Sequence, residues 1–217
     1  DHRDLHSFPT RRSSDLGSEQ WHTERLLRLD PCFLCFRPPE AAPDVAPSPA
    51  AEGRGVTFGS FNNPAKLSPR VLSLWSRVLR DVPGSRLLLK GVGFDIPAVR
   101  ERLRTGAASA GIDPSRLEVL PTTRTPAEHL ATYARLDIAL DTYPYHGTTT
   151  TCEALWMGVP VVTLEGAVHV SRVGVSLLHA AGCRDWIAKD EDEYVRIASE
   201  LAADPAGLGR LRAGLRQ

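Results

Sequence analysis

The chain has 217 residues, 42% of them hydrophobic and 24% charged, and a formal net charge of zero. Such a composition is that of a globular protein long enough for one good domain. It gives no electrostatic case for nucleic acid or an acidic membrane as partner, and no apolar run approaches the roughly 20 residues of a membrane span.

Residues 1–16 (DHRDLHSFPTRRSSDL) match, codon by codon, the in-frame translation of a common short-read sequencing adapter. They are read as an artefact and excluded from fold reasoning. A natural basic tail or transit peptide is the alternative, and Asp1, Asp4 and Asp15 count against it. Residues 17–55 read as a linker or partial interdomain segment. A short amphipathic piece (TERLLRL) lies early in it, and a Pro/Ala-rich stretch over Pro38–Gly55 reads as extended backbone outside the core. Residues 56–217 form the globular domain, whose last helix runs to Gln217 without a stop signal. The sequence therefore predicts a fragment.

Within that domain Val56–Phe61 reads as a buried strand and Asn62–Leu67 as a polar turn. Ser68 caps a helix with Pro69 in its first position, running to Asp81 with Leu72, Trp75 and Leu79 on one face. Arg86–Lys90 is a second strand. A helix over Ile96–Ala110 ends at Gly111. Leu117–Leu120 is a third strand, followed by a short helix over Pro126–Tyr133 capped by Thr125. Leu136–Leu140 is a fourth strand and leads into a threonine-rich helix. Pro160–Leu164 is a fifth strand, Val170–Ala180 a helix stopped by Gly182, and Trp186–Ala188 a sixth strand. Helices over Asp190–Ala203 and Pro205–Gln217 close the chain. Short apolar strands alternating with helices predict an α/β fold, a doubly wound parallel sheet covered on both faces.

Ligands of such sheets bind beyond the carboxyl ends of the strands. The loops at that edge carry the polar, Gly-rich and Thr-rich residues. The richest is Asp141–Glu153 (DTYPYHGTTTTCE), punctuated by Pro144 and Gly147. Threonine is a good cap and a mediocre helix former, so Thr148–Thr151 suit a helix mouth. A helix mouth offers free N–H groups and the positive end of the dipole, which suits phosphate. Glu153, a turn further in, can accept from ribose hydroxyls. Lys66, after the first strand, can reach a pyrophosphate and stabilise a departing nucleoside diphosphate. The competing readings are helix capping for the threonines and solvated charge for Lys66. Tyr143 and Tyr145 either wall a sugar pocket or pack the loop.

The four cysteines include a CxxC at Cys32 and Cys35, with no second ligand pair nearby to complete a zinc site. Cys152 and Cys183 read as buried thiols, and the cytoplasm as the compartment. Metal-ligand clusters and paired carboxylates are lacking, so no metal and no cofactor are expected beyond a donor substrate.

DTYPYHGTTTTCEALWMGVPVVTLEG, with VTFGSFNNPAKLSP before it and SRVGVSLLHAAG after it, resembles the protein O-linked N-acetylglucosamine transferases, most closely their bacterial members. The resemblance runs from about Trp21 to Gln217. It implies the Rossmann-like C-terminal, donor-binding half of a GT-B glycosyltransferase. It further implies an inverting transfer of N-acetylglucosamine from UDP-GlcNAc to protein Ser or Thr hydroxyls. Acceptor binding would come from an upstream half and a tetratricopeptide array, and the catalytic base from residues outside this chain. Residue by residue, it implies donor-phosphate contacts for Lys66, Thr149 and Thr150. Asn63 matches a polar amide near the same group, and Glu153 an acidic residue on the ribose. His129 matches a ring close to the uracil. Thr148 departs from a position that is often His in animal members. Pro126 stands where those members place a base-stacking Lys. His169 falls near a sugar hydroxyl. Two rival readings remain: a related transferase using another donor such as GDP-fucose, and an inactive nucleotide-binding or interaction fragment.

Overall fold

The computed structural model of the chain describes Gln20, Thr23, Arg25 and residues 32–216. The adapter-like residues 1–16, most of the amphipathic stretch after them and Gln217 lie outside the described residues. Six strands form one all-parallel sheet: β1 (Thr57–Ser60), β2 (Arg86–Lys90), β3 (Leu117–Leu120), β4 (Ile138–Leu140), β5 (Val161–Leu164) and β6 (Ile187–Ala188). Their order is β3-β2-β1-β4-β5-β6, with Phe58 beside Ile138 where β1 meets β4. This is a doubly wound Rossmann-like sheet, and its order reverses between β1 and β4. The connecting helices are α1 (Pro69–Asp81), α2 (Pro97–Ser109), α3 (Pro126–Ala131), α4 (Thr149–Trp156) and α5 (Val173–Ala180); α6 (Glu191–Ala203) and α7 (Pro205–Gly214) follow. Right-handed crossovers put α1 and α2 on one face of the sheet and α4 and α5 on the other.

Local chemistry explains the boundaries. The Ser68 hydroxyl accepts from Val71 N–H at 3.3 Å, and Pro69 occupies the first helical position of α1. Val71, Leu72, Leu74, Trp75, Val78 and Leu79 give α1 its buried face. Thr125 caps α3 by accepting from Glu128 N–H, and Asp190 caps α6 by accepting from Glu193 N–H. α3 stops at Ala131, and residues to Arg135 tighten into a 3₁₀ turn. α5 begins at Val173 because His169–Ser171 form a separate 3₁₀ turn. Gly59 lets β1 pass its neighbours: a Cβ there would lie 2.3 Å from Leu136 Cδ2 and 2.7 Å from Leu88 O.

One expectation needs correcting. Most of the stretch 38–55 is extended, as its composition requires, with a 3₁₀ turn at Ala50–Glu52, but its middle packs into the core. Ser48 and Ala50 are buried. Asp137, 1% exposed, accepts from Ser48 Oγ at 2.5 Å, Ala50 N at 2.9 Å and Thr57 N at 2.8 Å. Arg212 of α7, also buried, donates to Ala46 O, Leu136 O and Tyr133 O. Pro-rich backbone has few hydrogen bonds of its own. Its polar groups are satisfied here by side chains that no local pattern can reveal. Further back, Cys32, Leu34 and Phe36 turn the inner side of an extended run onto Cys152, Val173 and Leu177. Cys35 faces solvent, and all four cysteines are free. Cys183 is half-buried rather than buried.

Asp137→Ala removes the shared acceptor of this strap and leaves Ser48 Oγ, Ala50 N–H and Thr57 N–H without it. At about 1–3 kcal/mol for each buried donor left unsatisfied, the expected loss is about 3–5 kcal/mol of unfolding free energy, read by urea denaturation. A loss under about 1 kcal/mol would show that 46–50 is not integral to the fold.

Candidate functional site

The site is built on the loop from β4 to α4, at the point where the strand order reverses. Asp141 directly follows β4 and is buried. Its carboxylate accepts from Thr142 N at 2.9 Å, Gly147 N at 2.7 Å and Thr163 Oγ1 at 2.8 Å. The loop thus curls around one buried anion. Gly147 is required by close approach: a Cβ there would lie 2.6 Å from Thr150 Oγ1 and 2.9 Å from Thr151 Oγ1. His146, fully buried, lies in the same curl. Its Nε2–H donates to Leu164 O at 2.8 Å, while Nδ1 accepts from Gly174 N–H at 3.0 Å. Burial holds its pKa below the ordinary value, against the pull of Asp141.

α4 then starts at Thr149 with Thr148 as its cap residue, and no side chain caps it. The first-turn N–H groups of a helix have no intrahelical acceptor. Here they open, with the threonine hydroxyls, into a cleft whose lining includes Asn62, Asn63, Lys66, Tyr145, Thr148, Thr149 and Thr150. Asn62 is buried and accepts from Thr150 Oγ1 at 3.0 Å. Lys66 is half-buried. Its Nζ donates to His146 O at 2.7 Å and stands 4.2 Å from the centre of the Tyr145 ring. Burial lowers its pKa first, and the nearby Asp141 opposes that.

A second cluster lies one turn along α4. Glu153 Oε2 accepts from His129 Nε2 at 2.9 Å and from Tyr133 Oη at 3.3 Å. On the other side of the imidazole, Lys90 Nζ sits 2.5 Å from His129 Nδ1. The rings of Phe61, Tyr133 and His129 pack around this cluster.

The profile of glycosyl transferase family 41 matches residues 51–217. The chain belongs to that family. It is 48% identical over 202 residues to the probable UDP-N-acetylglucosamine–peptide N-acetylglucosaminyltransferase SPINDLY of Petunia hybrida, an alignment covering 93% of this chain and 22% of that protein. The corresponding protein of Arabidopsis thaliana is also 48% identical, over 92% of this chain and 22% of its own length. Among solved structures, a variant O-GlcNAc transferase of Thermobaculum terrenum superposes with a TM-score of 0.84 at 42% identity, covering 92% of this chain and 38% of that one. The fold is the Rossmann-like half of a GT-B glycosyltransferase. The chain spans about a fifth of the length of the curated relatives it matches.

The sequence-predicted residues fall into three groups. Lys66, Thr148, Thr149 and Thr150 meet at the helix mouth, Gly147 packs against Thr150 beside it, and Tyr145, 53% exposed, borders it. His129 and Glu153 pair beside it. Asn63 lines the same cleft as Lys66, exposed, with its side chain accepting from Ala65 N–H to cap the 3₁₀ turn Pro64–Lys66. Tyr143 and His169 make the third group. Tyr143 packs the loop, 4.7 Å from the Arg70 guanidinium and 6.5 Å from the His146 ring. His169 sits on the β5–α5 turn with its ring 5.5 Å from Phe33. Sequence reasoning missed Asn62, Asp141, His146 and Lys90. For Asn62, Asp141 and Lys90 the available signal was a polar residue at or just past the end of an apolar strand. Among the described residues no group of acidic, His or Cys side chains could hold a metal, and no helix is long and apolar enough to cross a membrane.

His146 gives a pH test. Its folded-state pKa is lowered, so below about pH 6.5 the unfolded chain binds a proton that the folded chain refuses. Its contribution is fully present above that pH and is lost as pH falls, at up to about 1.4 kcal/mol per pH unit. Urea unfolding between pH 8 and 5 should show this slope. His146→Gln should flatten it, whatever its cost at pH 8. An equal slope in both proteins would assign the acid loss elsewhere.

Proposed function

We propose that this chain is the donor-binding half of an inverting glycosyltransferase that moves N-acetylglucosamine from UDP-GlcNAc to Ser or Thr hydroxyls of proteins. One observation carries the reading: the uncapped mouth of α4 opens at the switch point of the sheet, with Lys66 facing it. That arrangement offers backbone N–H groups, threonine hydroxyls and one cation to a diphosphate. The names of the plant and bacterial relatives support the choice of donor and of a protein acceptor.

In this reading Thr149, Thr150 and the first N–H groups of α4 hold the diphosphate, and Glu153 takes the ribose. Lys66 stabilises the charge that grows on the β-phosphate as the glycosidic bond breaks. The helix mouth and the lysine supply the positive charge without a metal ion or further cofactor. The acceptor, and the base that deprotonates it, belong to parts of the parent protein outside this chain, and the compartment is the cytoplasm. The proposed domain division is 56–217 as the nucleotide-sugar domain with the strap at 46–50 packed into it, the residues before that strap as the connection to the other half of the enzyme, and 1–16 as foreign to the protein.

Calorimetry on this chain tests the donor. UDP and UDP-GlcNAc should bind weakly, in preference to GDP, with almost no transfer. A clear preference for GDP overturns the UDP assignment in favour of a donor such as GDP-fucose.

Steady-state kinetics of the full-length parent test Lys66. A cation that serves the leaving group binds the transition state better than the ground state. Lys66→Ala should therefore lower kcat on the order of a hundredfold, roughly 3 kcal/mol, and Thr149→Ala by less, because neighbouring N–H groups remain. A rise in KM with kcat intact would make Lys66 a uniform donor contact instead.

A further inference from the structure

We propose that Lys90 is a positioning residue for the nucleotide base, acting through His129: with Glu153 it locks the imidazole as the Nε2–H tautomer and leaves the ring's open surface, not a ring nitrogen, to meet the base. The proposal rests on the donor reading above for the word base, though not for the tautomer.

Two partners fix that tautomer independently. An ammonium group has donors and no acceptor, so Lys90 Nζ, 2.5 Å from Nδ1, requires the lone pair there. An ionised carboxylate only accepts, so Glu153 Oε2, 2.9 Å from Nε2, requires the proton there. Both demands are met by one neutral form of the ring. Both nitrogens are then committed to protein partners, and 26% of the His129 side chain still faces solvent. What the ring offers a ligand is a polarisable surface whose orientation is set from behind.

Lys90 has little other work to do. It ends β2 in a buried position, its second polar contact is Thr123 Oγ1 at 3.3 Å, and its charge lies 5.4 Å from the Phe61 ring. Burying an ammonium group is costly unless it is hydrogen-bonded. Burial lowers the pKa of Lys90, and Glu153 across the imidazole opposes that shift. The three elements that meet here are the end of β2, α3 and the second turn of α4. A nucleoside extending from the α4 mouth past Glu153 reaches the same place.

The test has a spectroscopic arm and a binding arm. Nitrogen-15 NMR of the imidazole at pH 8, without nucleotide, reads the tautomer in the wild-type chain, in Lys90→Met and in Lys90→Arg. The wild type should be the Nε2–H form; an Nδ1–H wild type overturns the proposal and needs no variant. Lys90→Met keeps the buried stem and removes the donor. It should mix the tautomers and weaken UDP binding about tenfold, near the value of one charge-assisted hydrogen bond. Lys90→Arg, which restores a donor, should recover much of both. Wild-type UDP binding with Lys90→Met unchanged in tautomer or in affinity overturns the role of Lys90 and leaves the donor reading standing. No nucleotide binding by the wild type, with the tautomer as expected, overturns the donor reading, and the base-positioning role falls with it.

Discussion

The carboxylate of Asp141 is the interaction on which the site depends. A loop that turns from a parallel strand into a helix beside its neighbours must bury several backbone N–H groups, and each needs a partner. Asp141 answers three donors at once: Thr142 N–H, Gly147 N–H and the Thr163 hydroxyl of β5. Those bonds fix where the loop ends, and so fix where the mouth of α4 points. They also hold His146 in the curl, and the His146 carbonyl is the group that Lys66 grips. Removing the carboxylate would free the loop, the helix start and the lysine together. An anion buried in this way is stable only because its hydrogen bonds replace those of water.

The same strand end is braced from the opposite face. Tyr194 of α6 donates its hydroxyl proton to Asp141 O at 3.1 Å and receives the Trp75 indole N–H of α1 at 3.3 Å. Both aromatic side chains are fully buried. α1, α6 and β4 are thereby tied through one line of hydrogen bonds that ends under the cleft. Such lines reinforce one another in a low dielectric, and a break in them is correspondingly expensive. The polar groups sit at the switch point because the sheet order leaves a gap between the loops after β1 and β4.

Much of this was legible from the chain because its signals are local. Ser68 with Pro69, Thr125 with Pro126, and Gly111 at φ +90° mark helix ends by short-range sterics and hydrogen bonds. The threonine run also marks the mouth of α4, although no threonine side chain caps it. The failures are non-local. Asn62 and Asn63 are adjacent and chemically equal, yet the turn after β1 buries Asn62 against Thr150 and leaves Asn63 exposed at the cleft, capping a 3₁₀ turn. Asp137 reads as one more charge in a sequence until Ser48 and Ala50 are brought to it. The run 38–55 looked like a spacer because its composition reports stiffness and not partners. Lys90 closes a strand whose centre, Leu87, Leu88 and Leu89, is apolar, and only the distant His129 gives that charge a purpose.

The two lysines of the site repeat one electrostatic plan. Lys66 follows β1 and Lys90 ends β2. Burial lowers the pKa of each, and one carboxylate of the β4–α4 unit opposes it: Asp141 for Lys66, Glu153 for Lys90. The difference lies in what else is near. Lys90 faces an imidazole and a hydroxyl, both neutral acceptors already in place, so its charge is spent inside the protein. Lys66 faces a carbonyl, a tyrosine ring and open cleft. In the proposed function a diphosphate entering that cleft brings negative charge closer to Lys66 than anything the empty site provides. Opposite charge at short range favours the charged form of a lysine that burial has weakened. Donor binding and the full charge of Lys66 then support each other, and the cation is strongest when the leaving group needs it.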